Sequence, residues 1–429
     1  MNRATIAVNE RRIREETIQR LVRREIGFHR LPADLPPAEA AAIRREALER
    51  ITGVSLKHLA EHDDEAASEA VGNVENFIGM AQVPVGVVGP LTLHGEEGES
   101  EVYVPLATTE AALVASTNRG CSALRAAGGA VVTVEEAGMT RAPVFRTTGA
   151  RQTRTFLDWV AAHEAEIRER AEATSRYLRL IDIRPMAFGT TVLLRFRFET
   201  GDAMGMNMVT IATDHVVSEL IEPSTGVECV ALSGNYCVDK KPSAINFQEG
   251  RGKRIFAEAV LQPDVLDRAL KTDTDSLVEV QYRKNLLGSI AAGSQGGFNA
   301  HYANLVAAFF LATGQDLAHV VGGSMGVTCI ERRADGAAYV SIYMPDVPLG
   351  VIGGGTRLGT QSESLAILGV EADPSRPGRA VRRLGEILGA VVLAGELSLM
   401  SAFTSRDLAG AHDRLRRGGD LTAAVPADR

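Results

Sequence analysis

The stretch SGNYCVDKKPSAINFQEGRGK, Ser233–Lys253, decides how this chain is read. A short strand-like run from Glu228 leads into it. A polar loop follows, carrying two adjacent lysines, Lys240 and Lys241, ahead of Pro242. The chain has 46 lysines and arginines, and its lysines are Lys57, Lys240, Lys241, Lys253, Lys271 and Lys284. Where a cation merely faces water, this chain usually uses arginine. A lysine pair therefore points to chemistry that needs a compact cation on a flexible stem rather than a planar guanidinium.

Working outward, 429 residues suggest two or three domains, and 45% apolar with 23% charged residues is a globular balance. A net charge of −8 argues against a general nucleic-acid partner. No uninterrupted apolar run approaches the ~18 residues of a membrane span. Glu396 breaks the longest candidate near Leu393, and the charged N-terminus lacks a signal core. The four cysteines, Cys121, Cys229, Cys237 and Cys329, have neither C-x-x-C nor metal spacing. The expectation is a cytoplasmic protein with reduced thiols, no metal, and neither membrane nor nucleic acid as a partner.

Residues 1–72 read as a helical segment, with helices over Ile13–Ile26 and Ala38–Arg50 separated by LPADLPP. From Val74 the texture turns to strands and Gly/Pro turns. Thr108–Gly129 reads as a helix, with Thr108 or Thr109 as N-cap and Glu110 in its first turn. From Pro143 an inserted α+β unit begins: a helix over Phe156–Thr174, strands over Tyr177–Arg184 and Thr190–Glu199, then a glycine turn into a helix. A further helix runs from about Ala300 to Gly314, and a buried one contains GELSLMSA.

No G-x-G-x-x-G joins a strand to a helix, and there is no G-x-x-x-x-G-K-[ST]. Taken singly, the remaining candidates have two readings each. Glu110 is a helix-capping carboxylate or an acid. Asp316 follows a helix end, where the dipole disfavours an anion. His412 is a surface or a catalytic histidine, and Asp239-Lys240-Lys241 is solvated charge or a site. Together they are an inventory for acid/base chemistry on a carbonyl.

The ordered set ENFIG, VPVGVVGPL, TTEAALVASTNRG, GMTRAPV, GDAMGMNMV, SGNYCVDKKPSAINFQEGRGK, GGFNAHYANLVAAFFLATGQD and GELSLMSA, ending at His412, resembles the 3-hydroxy-3-methylglutaryl-coenzyme A (HMG-CoA) reductase family. The likeness covers about Glu75–Arg417, and the DKKP loop is similar to the biosynthetic, class I form. The resemblance implies NADPH-dependent reduction of HMG-CoA to mevalonate and free coenzyme A, in two hydride steps through a hemithioacetal and an aldehyde. It implies that Lys240 stabilises the thioester oxyanion and that Glu110 protonates the aldehyde-level oxygen. Asp316 would bridge Glu110 and Lys240, and His412 would protonate the leaving thiolate. Arg141, Ser233, Asp239, Lys241, Asn304 and Leu399 match the hydroxymethylglutaryl site, and Ser116, Asn118 and Arg119 the coenzyme A region. Ser175, Arg176, Asp202, Met204, Gly205, Met206, Asn207, Gly353, Gly354 and Arg417 match the dinucleotide site. Ala411 stands before His412, where animal members carry a phosphorylatable serine.

The implied fold is α+β. A large domain (73–142 plus 217–429) surrounds a long central helix, and a small ferredoxin-like insertion (143–216) takes the dinucleotide. The implied assembly is a homodimer or dimer of dimers with shared sites. Competing readings are the same fold run oxidatively with NADH, a coenzyme A-binding protein without catalysis, and a structural oligomer.

Overall fold

The structure is a computed structural model and describes residues 3–404. It divides into two compact units. One holds the residues up to Pro84 with Arg357–Ser362; the other holds Val85–Thr356 and the chain from Glu363. In the first, helices Arg3–Val22 and Pro37–Thr52 pack through Ile18, Leu21, Ile43 and Ala47. The second helix stops where Gly53 turns left-handed (φ 73°). A short helix, Asp64–Ala70, starts on an Asp63 cap and packs Ala67 and Ala70 against Ala41 and Phe77.

The second unit is mixed α and β. Its strands are β1 (Val85–Gly95), β2 (Gly98–Ala107), β3 (Ala130–Arg141), β4 (Val144–Arg146), β5 (Arg179–Phe188), β6 (Thr191–Glu199), β7 (Glu228–Ala231), β8 (Arg251–Leu261), β9 (Gly297–Phe298), β10 (Gly326–Arg332) and β11 (Ala338–Val347). Along the sheet the order is β7-β4-β6-β3-β8-β11-β10-β9, with β2 on β1, β1 on β3 and β5 on β6. Strand β3 is the hinge of this arrangement. Its first part pairs with β8, its register shifts between Glu136 and Gly138, and Met139–Arg141 then pair with β6. Gly138 has φ 86°, the left-handed geometry that such an irregularity demands and that a side chain resists.

Two apolar clusters sit either side of that shift. One runs from Met139 to Val227 and includes Phe145, Phe156, Phe196 and Phe198. Within it the chain order is β4, helices Ala150–Ala162 and Glu164–Glu172, β5, β6, helix Met206–Val216 and β7. All its strand pairs are antiparallel, in the spatial order β7-β4-β6-β5. The single helix expected over Phe156–Thr174 is thus two, broken at His163.

The larger cluster surrounds the helix Arg379–Thr404. By length and composition this helix would pass for a membrane span, which corrects the reading that no segment comes close; 83% of its apolar window is buried inside the protein. Helix Leu113–Ala126 lies against it at Gly120, where a Cβ would fall 1.9 Å from the carbonyl oxygen of Ala394. Glu396 on the same helix is a fully buried carboxylate. Its carboxylate accepts from the N–H groups of Ala300 (2.9 Å) and His301 (2.6 Å) and from the Thr328 hydroxyl (2.7 Å). These backbone donors lead into helix Tyr302–Thr313, so one carboxylate anchors its N-terminal end to the core.

Replacing Glu396 by Leu removes the carboxylate acceptor of the half-buried Ala300 and His301 N–H groups and leaves the buried Thr328 hydroxyl with the Tyr302 hydroxyl alone. The expected loss of unfolding free energy is about 3 kcal/mol, read from urea denaturation. A loss below about 1 kcal/mol would show that the anchor is dispensable.

Candidate active site

The lysine loop is built under backbone strain. Asn235 (φ 61°), Val238 (φ 49°) and Lys240 (φ 57°) all occupy the left-handed region, which a β-branched residue such as Val238 strongly resists. Three buried polar side chains hold it there. Thr140 donates its hydroxyl to the Cys237 carbonyl (2.7 Å), Asn246 donates to the Val238 carbonyl (3.0 Å), and Arg251 donates to Asp239 Oδ1 (2.7 Å). The guanidinium of Arg251 is itself fully buried. Its Nε donates to Thr140 Oγ1 at 3.0 Å, and Asp346 Oδ1 lies 3.9 Å from it. Asn246 in turn donates to Asp346 Oδ2 at 2.7 Å.

The result is that Lys240 Nζ meets Asp316 Oδ2 at 2.8 Å. Asp316 does not sit on a helix C-terminus. Gly314 turns left-handed after Thr313, and Asp316 caps the next short turn by accepting from the Ala318 N–H at 3.1 Å. The dipole objection raised by the sequence disappears. Burial opposes ionisation of Asp316. The hydrogen bond from Lys240, the Ala318 N–H and the neighbouring positive charge outweigh burial, and its carboxyl is held below the usual range.

Glu110 is placed differently from expectation. The helix begins at Leu113, after Ala112 turns left-handed (φ 69°), so Glu110 lies in the loop before it. Its N–H bonds Thr108 Oγ1 (3.0 Å), and its carboxylate accepts from Asn304 Nδ2 (3.1 Å). Among the described residues no hydrogen bond or ion pair joins Glu110 to Asp316 or Lys240. Asn304 lies on the helix that ends just before Asp316, so one element positions both acids. Lys241 donates to the Asp239 carbonyl at 3.2 Å, and Ser233 Oγ is 3.4 Å from Cys237 Sγ. Arg141 stands at the end of β3 with a buried Nε that has no hydrogen-bond partner among the described residues.

The residues matched to coenzyme A are tied to the long helix. Ser116 Oγ lies 2.9 Å from Ser398 Oγ, and Arg119 donates to the Ser398 hydroxyl and carbonyl, next to Leu399. Asn118 accepts from the Gly89 N–H at 2.9 Å.

Among the residues matched to the dinucleotide, the two glycine segments come together. Ala203 bridges Ile352, and the Val351 N–H donates to the Asp202 carbonyl at 2.8 Å. Asp202 is buried and its Oδ1 accepts from the Val381 N–H (3.0 Å), so it caps the long helix. Gly205 (φ 91°) opens helix Met206–Val216, whose first turn carries neither an acidic residue nor a side-chain cap. Met204 packs on Gly350, Met206 Sδ is 3.1 Å from Arg251, and Asn207 is exposed. Gly353 and Gly354 have positive φ and open space where a Cβ would stand. Ser175 Oγ accepts from the Tyr177 N–H, and the Arg176 guanidinium lies 4.6 Å over the Tyr177 ring. His412 and Arg417 lie outside the described residues.

Sequence reading missed Thr140, Asn246, Arg251, His319 and Asp346. Asn246 and Arg251 lie inside the quoted Ser233–Lys253 stretch, but nothing local separates a supporting arginine from a surface one. His319 is buried at 1% exposure, with Nε2 3.7 Å from both Asp239 Oδ1 and Asp316 Oδ2.

With this geometry in view, residues 40–417 match the hydroxymethylglutaryl-coenzyme A reductase family, and the chain belongs to it. Among its relatives, the 3-hydroxy-3-methylglutaryl-coenzyme A reductase of Methanothermobacter thermautotrophicus is 49% identical, over 93% of this chain and 98% of the relative. The enzyme of the same name from Pyrococcus abyssi is 47% identical, over 94% and 99%. The fold is also that of a class II 3-hydroxy-3-methylglutaryl-CoA reductase from Streptococcus pneumoniae bound to NADPH in open conformations. That match has TM-score 0.62 and 19% identity, and covers 84% of this chain and 87% of that one.

Two buried groups of the site give opposite pH signatures. Burial, helped by Arg251, pushes His319 down to about 4, so its stabilising contribution is complete above its unfolded value and lost as pH falls toward 4. Burial pushes Asp346 up to about 6 against the pull of Arg251 and Asn246, so its contribution is present at low pH and lost as pH rises through 6. The two offset each other in the window between. His319→Gln leaves only the second. From pH ~7 to pH ~5, wild type is expected to lose about 2 kcal/mol relative to this variant. Parallel urea titrations at the two pH values check this, and a constant difference would refute a buried neutral His319.

Proposed function

We propose that this chain is the biosynthetic, class I form of the enzyme, reducing (S)-HMG-CoA to (R)-mevalonate and free coenzyme A with NADPH. The observation that carries this reading is the Lys240–Asp316 contact at 2.8 Å on a loop strained and clamped into place. A cation pre-set by a carboxylate, on a scaffold that cannot relax, is suited to meet negative charge developing on a carbonyl oxygen. The DKKP loop supports the class.

The order β-α-β-β-α-β, with the four antiparallel strands arranged β7-β4-β6-β5, supports a ferredoxin-like inserted dinucleotide domain that begins at 143 and includes β7 at Glu228–Ala231, beyond the end at 216 expected from the sequence. The residues matched to the dinucleotide site suit an anionic dinucleotide. Helix Met206–Val216 begins at a left-handed glycine with uncapped N–H groups, the glycines at 353 and 354 leave room for close approach, and Arg176 is exposed. The reduced nicotinamide supplies hydride to the carbonyl carbon.

The chain's own residues do the rest. Lys240 donates to the thioester oxygen while Asp316 fixes its direction. Glu110, oriented by Asn304, delivers a proton to the aldehyde-level oxygen, and His412 protonates the coenzyme A thiolate. Arg141, with its unpartnered buried Nε, and Lys241 face the substrate carboxylate. The reading includes residues 73–142 plus 217–429 as the substrate domain, a cytoplasmic location, and a homodimer or dimer of dimers. The burial inside the protein of helix Arg379–Thr404, the span-length apolar helix among the described residues, supports the location.

Absorbance assays with HMG-CoA and each dinucleotide test this, with turnover expected to favour NADPH; equal or better turnover with NADH would defeat the cofactor assignment. In the same assay Lys240→Ala is expected to lower turnover by at least ~10²-fold with an unchanged melting temperature, and near-normal turnover would remove the oxyanion role. His412→Gln should spare reduction of free mevaldehyde while slowing the complete reaction. Equal losses in both would rule out thiolate protonation.

A further inference from the structure

The side chain most deeply placed behind the lysine loop is one that the mechanism above does not use. His319 lies three residues after Asp316, and its ring is closed off from solvent. Arg251 Nη1 approaches its Nδ1 at 3.4 Å. A guanidinium can only donate, so Nδ1 must carry the lone pair, and the proton of a neutral ring then sits on Nε2. That Nε2 is buried, has no hydrogen-bond partner among the described residues, and stands 3.7 Å from Asp239 Oδ1 and 3.7 Å from Asp316 Oδ2.

We propose that His319 is the positioning residue of the Lys240–Asp316 pair: a neutral Nε2–H ring wedged between Arg251 and two carboxylates, setting the spacing between the substrate-holding loop and the acid that aims Lys240. This rests on the reading of Lys240 as the oxyanion partner. The equal distances are the core of the argument. A single donor equidistant from two acceptors reaches either one by a shift of roughly 0.8 Å, since an N–H···O bond closes near 2.9 Å. Asp239 carries Arg251 and, through its carbonyl, Lys241; Asp316 carries Lys240. The wedge therefore joins the residue that holds substrate to the residue that meets its oxygen.

The charged groups around the ring are Arg251 from β8, Asp239 and Lys240 from the loop, and Asp316 from its own segment. Asp346 of β11 stands behind Arg251. Burial and Arg251 oppose a second proton on the ring, consistent with a neutral wedge. A ring that merely filled space would need neither this tautomer nor two flanking carboxylates.

The test compares wild type with His319→Leu and His319→Gln in the full-length protein, using ¹⁵N-histidine NMR and steady-state kinetics. The His319 signal, assigned by its loss in the variants, should report the Nε2–H tautomer and no protonation down to about pH 5. An Nδ1–H tautomer, or titration near the ordinary histidine value, overturns the wedge whether or not the enzyme turns over HMG-CoA.

In kinetics, His319→Leu should lower kcat by at least ~10-fold with KM changed by less than about threefold. It should also move the acid limb of the pH–rate profile upward, because Asp316 loses the N–H dipole that faces it at 3.7 Å and favours its anion. His319→Gln, whose amide offers a donor and an acceptor, should recover most of kcat. Unchanged kcat and pH profile in a folded His319→Leu, or no recovery by Gln, sinks the proposal. Should the Leu variant not fold, the tautomer and the Gln variant decide. Loss of all activity in wild type would instead refute the catalytic reading, while the tautomer still judges the wedge.

Discussion

The guanidinium of Arg251 is the constraint on which the site depends. It has no exposure to water, and burying a charge is tolerable only when acceptors and counter-charge surround it. Those partners come from four directions: Thr140 on β3, Asp239 on the lysine loop, His319 after helix Tyr302–Thr313, and Asp346 on β11. Each partner is held in turn by something else. Thr140 grips the Cys237 carbonyl, and Asp346 takes a hydrogen bond from Asn246, which grips the Val238 carbonyl. Removing any one leaves a buried polar group unanswered, so the network has one arrangement. It can therefore keep three non-glycine residues of the loop at positive φ, at a cost of order 1–3 kcal/mol each.

A second buried charge organises the scaffold at a distance. Glu396 stands within the apolar stretch of a helix that could pass for a membrane span, where it holds the start of helix Tyr302–Thr313. That helix presents Asn304 to Glu110 and ends immediately before Asp316. The rigid core thus reaches both acids through one element, a more precise support than a loop affords. The break in β3 at Gly138 does comparable work for the sheet, letting one strand belong to two apolar clusters.

Much of this was legible in the residues. The scarcity of lysine singled out Lys240 and Lys241, and the ordered motifs carried the family. The strands Thr191–Glu199 and Arg179–Phe188 lie close to where alternation put them, as does the helix ending at Gly314. Boundaries were less legible. Glu110 reads as first-turn capping because Thr-Thr-Glu is a good start signal, yet Ala112 turns left-handed and delays the helix to Leu113. Asp316 looks misplaced until Gly314 is seen to separate it from the helix dipole.

What the sequence determined by itself is the inventory: which residue types the chain carries and in what order, and the apolar periodicities that make its helices and strands. Local preference and spacing suffice for that. Only the tertiary structure decided the assignments that depend on contacts across the chain. Asp316 meets Lys240 from 76 positions away, Arg251 closes on Thr140 across 111 positions, and Glu396 reaches back 96 to Ala300. His319 carries no mark in the sequence, because a histidine becomes a wedge only when burial removes water and leaves it facing two carboxylates and a guanidinium.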